Sequence, residues 1–405
     1  MYWLLALIPF ENLFNFFNID ISVYSIPTFS IFSTLFLFVL LIFNKKKFII
    51  KRSKRILYLL FLHLIIVSFQ LIFVQQNIIL FLRILVSVFF GLIALETFEY
   101  IFSIFDEKQI DKGIFLGYLI IFLFSVYEIS KGIYRIKSTF TEPAHLGEYI
   151  VFIYLPWFLL RKENIKKANK IFILSSLLLI TLLTFSTTTY IRLILFFSSY
   201  MLFSVSLKNK IKILILTSLS IAIITFVVFS TENYAKGMIN YSLTATSLEE
   251  QSVSFVDRFS FWIMMARLGK YVTNVNTFNI LFGSGLGNES NLKYYLQSSI
   301  YEKILTAKGT TASKIPNLWG KIYVYGGFIG LLIYLLFYFS LFKDIKKTTI
   351  DPYKKSILYS ITLSLFLYQS IGNGYFHSLT NWFFLAYIFS KSSILNYGGQ
   401  KNVQK

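Results

Sequence analysis

The chain has 405 residues, of which 56% are hydrophobic and 14% are charged, and its mean hydropathy is +0.65. This balance excludes an ordinary soluble domain and predicts a polytopic membrane protein. The net charge of +20 comes from basic residues that cluster between apolar runs, so it indicates orientation in a membrane and not a nucleic-acid partner. The chain has no cysteine, which excludes disulfides and thiol chemistry.

Apolar runs recur along the chain with the length that a helix needs to cross a bilayer, roughly 17 to 25 residues. Only helices and closed barrels satisfy their backbone groups in hydrocarbon, and runs of this length favour helices. We therefore expect an all-α, polytopic transmembrane helical bundle of about twelve spans. The expected spans are 1–17, 27–43, 56–74, 78–98, 114–129, 148–160, 171–185, 191–205, 213–229, 318–342, 356–371 and 382–389.

Charge between the spans sets the expected orientation. The basic block at residues 45–55 is the strongest inner anchor, because positively charged short loops are retained in the cytoplasm. With this block inside, both termini are expected in the cytoplasm. The chain then divides into N-terminal membrane helices (1–230), one long extracytoplasmic loop containing short helices (231–317), and C-terminal membrane helices with a cytoplasmic tail (318–405).

Two arginines at the ends of expected spans are candidates for chemistry, because a charged side chain within a bilayer is costly unless it has a partner or a purpose. Arg192 directly follows the Ser/Thr turn at residues 186–189, near the outer membrane surface. It could meet a lipid-linked phosphate, or it could snorkel to ordinary lipid headgroups. Arg83, near the outer end of its own span, allows the same two interpretations.

The long loop carries a third arginine in the stretch DRFSFWIMMARLG, whose apolar run predicts a short amphipathic helix on the outer surface. Arg258 offers a planar fork of donors suited to phosphate, and the alternative is a surface ion pair with Asp257. Arg267 in the same stretch is a further candidate for substrate binding. The glycines of LFGSGLGN, which follows, suit either a tight turn or a close approach to a ligand.

A carboxylate and an imidazole stand just before one span, in the sequence FTEPAH. Glu142 could accept a proton from an acceptor hydroxyl, or it could stabilise the start of a helix, where an acidic group is favourable. His145 is a candidate for substrate contact, although a histidine at an interface is more often a satisfied polar residue than a base.

Five stretches together resemble the bacterial O-antigen polymerases of the Wzy type, which belong to a superfamily shared with O-antigen ligases. The resemblance covers residues 140–332 well and the earlier spans only by hydropathy. The stretches are FTEPAHLGEYIVFIYLP, TFSTTTYIRL, DRFSFWIMMARLG, NILFGSGLGN and PNLWGKIYVYGGFIGLL.

The resemblance implies an integral-membrane glycosyltransferase in the bacterial cytoplasmic (inner) membrane. Such an enzyme takes a glycan chain on undecaprenyl pyrophosphate and transfers its reducing-end sugar to the non-reducing end of a lipid-linked repeat unit. The resemblance further implies membrane lipids, a chain-length regulator and a flippase as partners. No cofactor, metal or nucleic acid is expected.

The resemblance also assigns roles to individual residues. Arg192 and Arg258 match arginines thought to hold the pyrophosphate, and Arg258 with Gly269 fits the polymerase pattern of an arginine, ten residues and a glycine. Asn317 belongs to the last motif and is expected to bind substrate. Pro316 precedes it where many relatives, especially ligases, have a histidine, so the general base is left open and Glu142 is the residue expected to fill that role.

Two alternative functions remain open from the sequence. An O-antigen ligase would use the same donor with a different acceptor. A lipid-linked oligosaccharide flippase or another transporter could also have about twelve spans, but such proteins often contain internal repeats and ionisable groups near the middle of the membrane. The sequence shows no repeat, and its candidate residues gather at one expected membrane face, which favours the enzyme.

Overall fold

The computed structural model describes residues 2–10, 28–34, 52–71, 78–133, 135–161, 163, 167–204, 210–211, 218, 258–266, 277–289, 292, 302, 305–306, 315–348, 350–372 and 374–393. Every regular element in these ranges is helical. Short helical segments occupy Tyr2–Leu7, residues 28–34 and residues 258–266. The other helices are α1 (Arg52–Leu71), α2 (Ile78–Ile104), α3 (Glu107–Ser130), α4 (Pro143–Leu160), α5 (Lys167–Leu183), α6 (Thr187–Phe203), α7 (Thr277–Phe282), α8 (Leu318–Lys347), α9 (Pro352–Tyr368) and α10 (Leu379–Ser393).

The described part of the chain has four helices that are long and apolar enough to cross a membrane, namely α2, α3, α4 and α8. Each of α1 to α6 and α8 to α10 lies at the position of an expected span. Of the span expected at 1–17, residues 2–10 are described, and Tyr2–Leu7 is a short 3-10 helix there. The spans expected at 27–43 and 213–229 lie largely outside the described residues, as does most of the expected outer loop at 231–317. The described residues are therefore helical and include four helices that could cross a membrane, whereas the number of about twelve spans stays a prediction.

Seven helices begin three to seven residues earlier than hydropathy predicts, namely α1, α3, α4, α5, α6, α9 and α10. The expected inner loop before residue 114 is instead the first two turns of α3, because a capping box starts the helix there. The Gln109 amide donates to the Asp106 carboxylate at 2.7 Å, and the Asp106 amide donates to Oε1 of Gln109 at 3.3 Å. α6 begins at Thr187, so most of the expected Ser/Thr turn is its first helical turn, although the Ser186 side chain makes no cap hydrogen bond.

Helix directions follow from contacts at both ends of each packed pair. α1 runs antiparallel to α8, because Ser53 bonds Asp344 while His63, further along α1, bonds the Gly326 carbonyl at 2.9 Å. α10 runs parallel to α2, since His377 lies beside Ser87 just before α10 begins, and later residues of both helices stack in the same order. α9 runs antiparallel to α6, because Tyr353 contacts Tyr200 at one end and Tyr368 contacts Arg192 at the other.

One end of this bundle holds a group of ion pairs, and we call it the ion-pair end. Lys54, buried at the start of α1, lies 2.6 Å from Glu96 and 2.8 Å from Glu99 near the end of α2. Arg161, just after α4, pairs with Glu107 and Asp111 at the start of α3. The opposite end, where α4, α6 and α8 begin and α9 ends, carries the candidate residues and is called the arginine end.

Candidate functional site

Arg192 lies in the second turn of α6 at the arginine end, inside the bundle with only 3% of its surface exposed. Its Nη2 donates to Glu148 at 2.8 Å, and its Nη1 donates to the carbonyl of Ala144. The guanidinium also lies over the ring of Tyr368, 4.4 Å from the ring centre. This environment differs from headgroup snorkelling, which would place the guanidinium at the membrane surface.

Glu148 is the partner that the sequence interpretation missed. Its side chain is buried in the second turn of α4, and its Oε1 accepts hydrogen bonds from Ser378 at 2.9 Å and Thr380 at 2.5 Å. We call these four residues, Glu148, Arg192, Ser378 and Thr380, the Glu148 cluster. Glu148 is the first residue of the span expected at 148–160, and an acidic residue at the end of an expected membrane helix is a signal of function that the sequence GEY already contained.

The close packing of α4 on α6 brings the two charged side chains together. A Cβ atom built on Gly147 would lie 2.0 Å from Oγ1 of Thr189, so only glycine fits at this contact. The next stretch of α4, Ile150–Tyr154, is π-helical and wholly buried. Such π-helical turns are rare and are frequent at functional sites.

Glu142, the residue expected to act as a base, has a very different environment from Glu148. It is exposed and precedes α4 as its N-cap residue, and its carboxylate makes no cap hydrogen bond. His145, in the first turn, is half-buried and lies with Nδ1 3.3 Å from Oγ1 of Thr141. Both residues therefore lie within one turn of Ala144, whose carbonyl accepts a hydrogen bond from Arg192.

Asn317 joins the start of α8 to the short helix that begins with Arg258. Its Oδ1 accepts from the Gly320 amide at 2.7 Å, and its Nδ2 donates to Ser260 at 2.7 Å and to the Arg258 carbonyl at 3.3 Å. The side chain is fully buried. Asn317 thus has a structural role in positioning Arg258, and its expected contact with substrate stays a prediction.

The turn after α9, residues 368–372, connects the surroundings of the two arginines. Tyr368 lies under Arg192, and the carbonyl of the next residue, Gln369, accepts a hydrogen bond from the Leu318 amide at 3.0 Å, beside Asn317. Trp262, on the Arg258 helix, donates to Ser370 in the same turn at 3.3 Å. Arg192 and Arg258 therefore lie at the same end of the bundle, with this turn between them.

The glycine cluster of LFGSGLGN packs against helices at the arginine end. Gly285 and Gly287 have φ angles of +76° and +80°, and their α-carbons approach the backbones of α1 at Ser68 and of α2 at Phe81. The Leu286 amide between them donates to Ser68 Oγ at 2.7 Å. Of the two interpretations left open by the sequence, the structure supports the tight turn with close backbone packing.

The other candidate residues from the sequence are Arg83, Arg267 and Gly269. Arg83 is half-buried in the second turn of α2, at the arginine end. Arg267 and Gly269 lie outside the described residues. Lys321 is buried at the start of α8, with its Nζ 5.1 Å from the ring centre of Tyr375. Among the described residues, no three acidic, histidine or cysteine side chains are grouped to hold a metal ion.

Comparison of the chain with protein-family models and with curated proteins finds no match.

Proposed function

We propose that this protein polymerises lipid-linked glycan repeat units. A hydroxyl of the acceptor sugar attacks the anomeric carbon of the donor chain, and the bond from that carbon to the pyrophosphate oxygen breaks. Undecaprenyl pyrophosphate leaves with the bonding electron pair, and the hydroxyl proton passes to a carboxylate. The observation that carries this proposal is the buried guanidinium of Arg192, held by Glu148 beside the turn that adjoins Arg258.

Arg192 has the properties that a pyrophosphate site needs. Two of its hydrogen-bond donors face Glu148 and Ala144, and a guanidinium has five, so donors remain for a ligand. Fixed donors in a site with little water stabilise developing negative charge on a leaving group better than mobile donors in water do. A planar guanidinium can also donate two parallel hydrogen bonds to two phosphate oxygens at once, which a lysine ammonium cannot do.

The two carboxylates near Arg192 are suited to different tasks. Both oxygens of Glu148 accept hydrogen bonds within the protein, so this carboxylate is suited to orient the guanidinium. Glu142 is exposed and forms no cap hydrogen bond, which leaves it able to accept a proton from an acceptor hydroxyl. We therefore assign Glu148 as a positioning residue and Glu142 as the proton acceptor.

The proposal is tested with purified protein and a synthetic undecaprenyl-pyrophosphate repeat unit, with products followed by mass spectrometry. We expect oligomers that grow by whole repeat units and release undecaprenyl pyrophosphate. Persistence of the single unit in the presence of folded protein would contradict the proposal. Deletion of the gene discriminates the alternatives: loss of a polymerase leaves single repeats on the surface, loss of a flippase leaves none, and loss of a ligase leaves long chains unattached.

A further inference from the structure

A groove of about 600 Å³ lies between α3, α4 and α5, and its polar rim is at the ion-pair end. Its wall is formed by aromatic and aliphatic side chains, among them Phe115, Leu119 and Phe122 along one face of α3, with Phe172 on α5 opposite. This volume is within the range of about 300–1,000 Å³ that is usual for small-ligand sites. The groove is at the other end of the bundle from Arg192, so it is separate from the proposed catalytic site.

The rim of the groove is polar and carries positive charge. Arg161 donates two hydrogen bonds to Asp111 at 3.0 and 3.1 Å through Nη2 and Nε, and it also pairs with Glu107. Glu107 has a second basic partner, Lys391, at 3.3 Å. Lys112, also on the rim, is exposed and forms no ion pair within the described residues. The charges of Glu107 and Asp111 are balanced by Arg161 and Lys391, so the positive charge of Lys112 is in excess.

In the sequence, Arg161 is followed by lysines at 162, 166, 167 and 170. Basic pockets between membrane helices bind anionic headgroups, and each nearby lysine or arginine contributes about 1 kcal/mol of attraction to an anionic membrane surface. An apolar groove that ends at such a rim complements a molecule with a hydrocarbon chain and a negatively charged head.

We propose that this groove binds one anionic phospholipid, with an acyl chain along Phe115, Leu119 and Phe122 and with its phosphate beside Lys112. The exposure of the wall supports a lipid occupant, because Phe115, Leu119 and Phe172 have 43%, 36% and 57% of their surfaces exposed. Apolar side chains with this exposure require a non-aqueous partner in a bilayer. The charge of the rim selects an anionic lipid over a zwitterionic one.

The test is native mass spectrometry of the full-length protein with added phosphatidylglycerol or phosphatidylethanolamine. We expect one phosphatidylglycerol to remain bound preferentially. Lys112→Gln should weaken this binding about fivefold, since one lysine is worth about 1 kcal/mol. Lys108→Gln is the matched control, because Lys108 is exposed on the same helix and does not line the groove.

The acyl-chain part of the proposal is tested by Leu119→Trp, which fills the groove and should abolish the retained lipid. Leu123→Trp is its control, since Leu123 is 56% exposed on α3 outside the groove. Thermal unfolding of each lipid-free variant checks that it is folded. Equal retention of both lipids, no retained lipid at all, or phosphatidylglycerol binding that either Lys112→Gln or Leu119→Trp leaves unchanged would overturn the proposal.

Discussion

The carboxylate of Glu148 lies 2.8 Å from Nη2 of Arg192, although the two residues are 44 positions apart and both are buried. Each charge compensates the other in a place where neither could remain alone without a large loss of stability. A buried ion pair adds little net stability compared with well-packed apolar residues. We therefore explain the pair by function and not by stability: the protein needs a guanidinium in this position.

Neutralising Glu148 should separate the structural role of the pair from its functional role. Glu148→Gln leaves the Arg192 charge buried without a counter-charge, so we expect the free energy of unfolding to fall by about 3–5 kcal/mol. Adding Arg192→Met removes the uncompensated charge and should restore most of that stability. Thermal unfolding in detergent measures both effects.

In the same variants, polymerisation should not recover when stability does. The double variant Glu148→Gln/Arg192→Met should be folded and yet make no oligomers, because the guanidinium is absent. A double variant that regains both stability and oligomer formation would show that the ion pair serves only to hold α4 and α6 together.

Removing the proposed proton acceptor should affect rate without affecting the fold. Glu142→Gln should lower kcat by about 10²- to 10⁴-fold, the usual contribution of a general base. Its thermal stability should be unchanged, because the carboxylate is exposed and makes no cap hydrogen bond. Glu163→Gln, an exposed substitution beyond the end of α4 at the ion-pair end, is the control. A kcat of Glu142→Gln within twofold of the control value would exclude Glu142 as the base.

The sequence predicted the helices of this protein better than it predicted the site. Hydropathy located α1 to α6 and α8 to α10, because a run of apolar residues is sufficient to indicate a membrane helix. It placed the starts of several helices too late, as in α3, where the Asp106 cap extends the helix into polar sequence. Hydropathy averages over a window and does not register a cap.

The contacts of Arg192 could not be predicted, because they come from distant parts of the chain. The sequence identified Arg192 as unusual, but its partner Glu148, and Thr380 that donates to Glu148, come together only through the packing of three helices. Glu142 drew attention because it stands in a loop beside a histidine. Glu148 was overlooked, although it is the first residue of the span expected at 148–160, where an acidic residue is the stronger signal.

The turn at Gly287 should be sensitive to the addition of a single methyl group. A Cβ on Gly287 would lie 2.5 Å from the Phe81 backbone nitrogen, and φ at this position is +80°. We expect Gly287→Ala to lower stability through both the left-handed backbone, about 1–2 kcal/mol, and overpacking, about 1–3 kcal/mol.

Gly132 provides the matched control for this substitution. Its φ is +73°, but a Cβ there would have no neighbour within 4 Å. Gly132→Ala should therefore show the backbone effect alone, and the difference in melting temperature between the two variants reports the packing effect. Equal losses would contradict close packing of the turn on α2.

The proposed orientation can be tested directly because the chain has no native cysteine. Lys131→Cys, exposed just after α3, should react with a membrane-impermeant maleimide applied from outside intact cells or spheroplasts. Arg52→Cys, exposed at the opposite end at the start of α1, should react only after the membrane is opened. The reverse pattern would place Arg192 at the cytoplasmic face, away from the proposed outer site.

The most direct test of the central claim is the polymerisation rate of Arg192→Lys on a synthetic undecaprenyl-pyrophosphate repeat unit. Lysine keeps the charge opposite Glu148, so the variant should remain folded. It lacks the planar guanidinium that can donate two parallel hydrogen bonds to a pyrophosphate. We predict a rate about 10²- to 10³-fold below that of the unchanged protein, the usual effect of losing one preorganised donor group, while the exposed control Arg52→Lys keeps full activity. A folded Arg192→Lys protein that forms oligomers as fast as the control would contradict the assignment of Arg192 to the pyrophosphate.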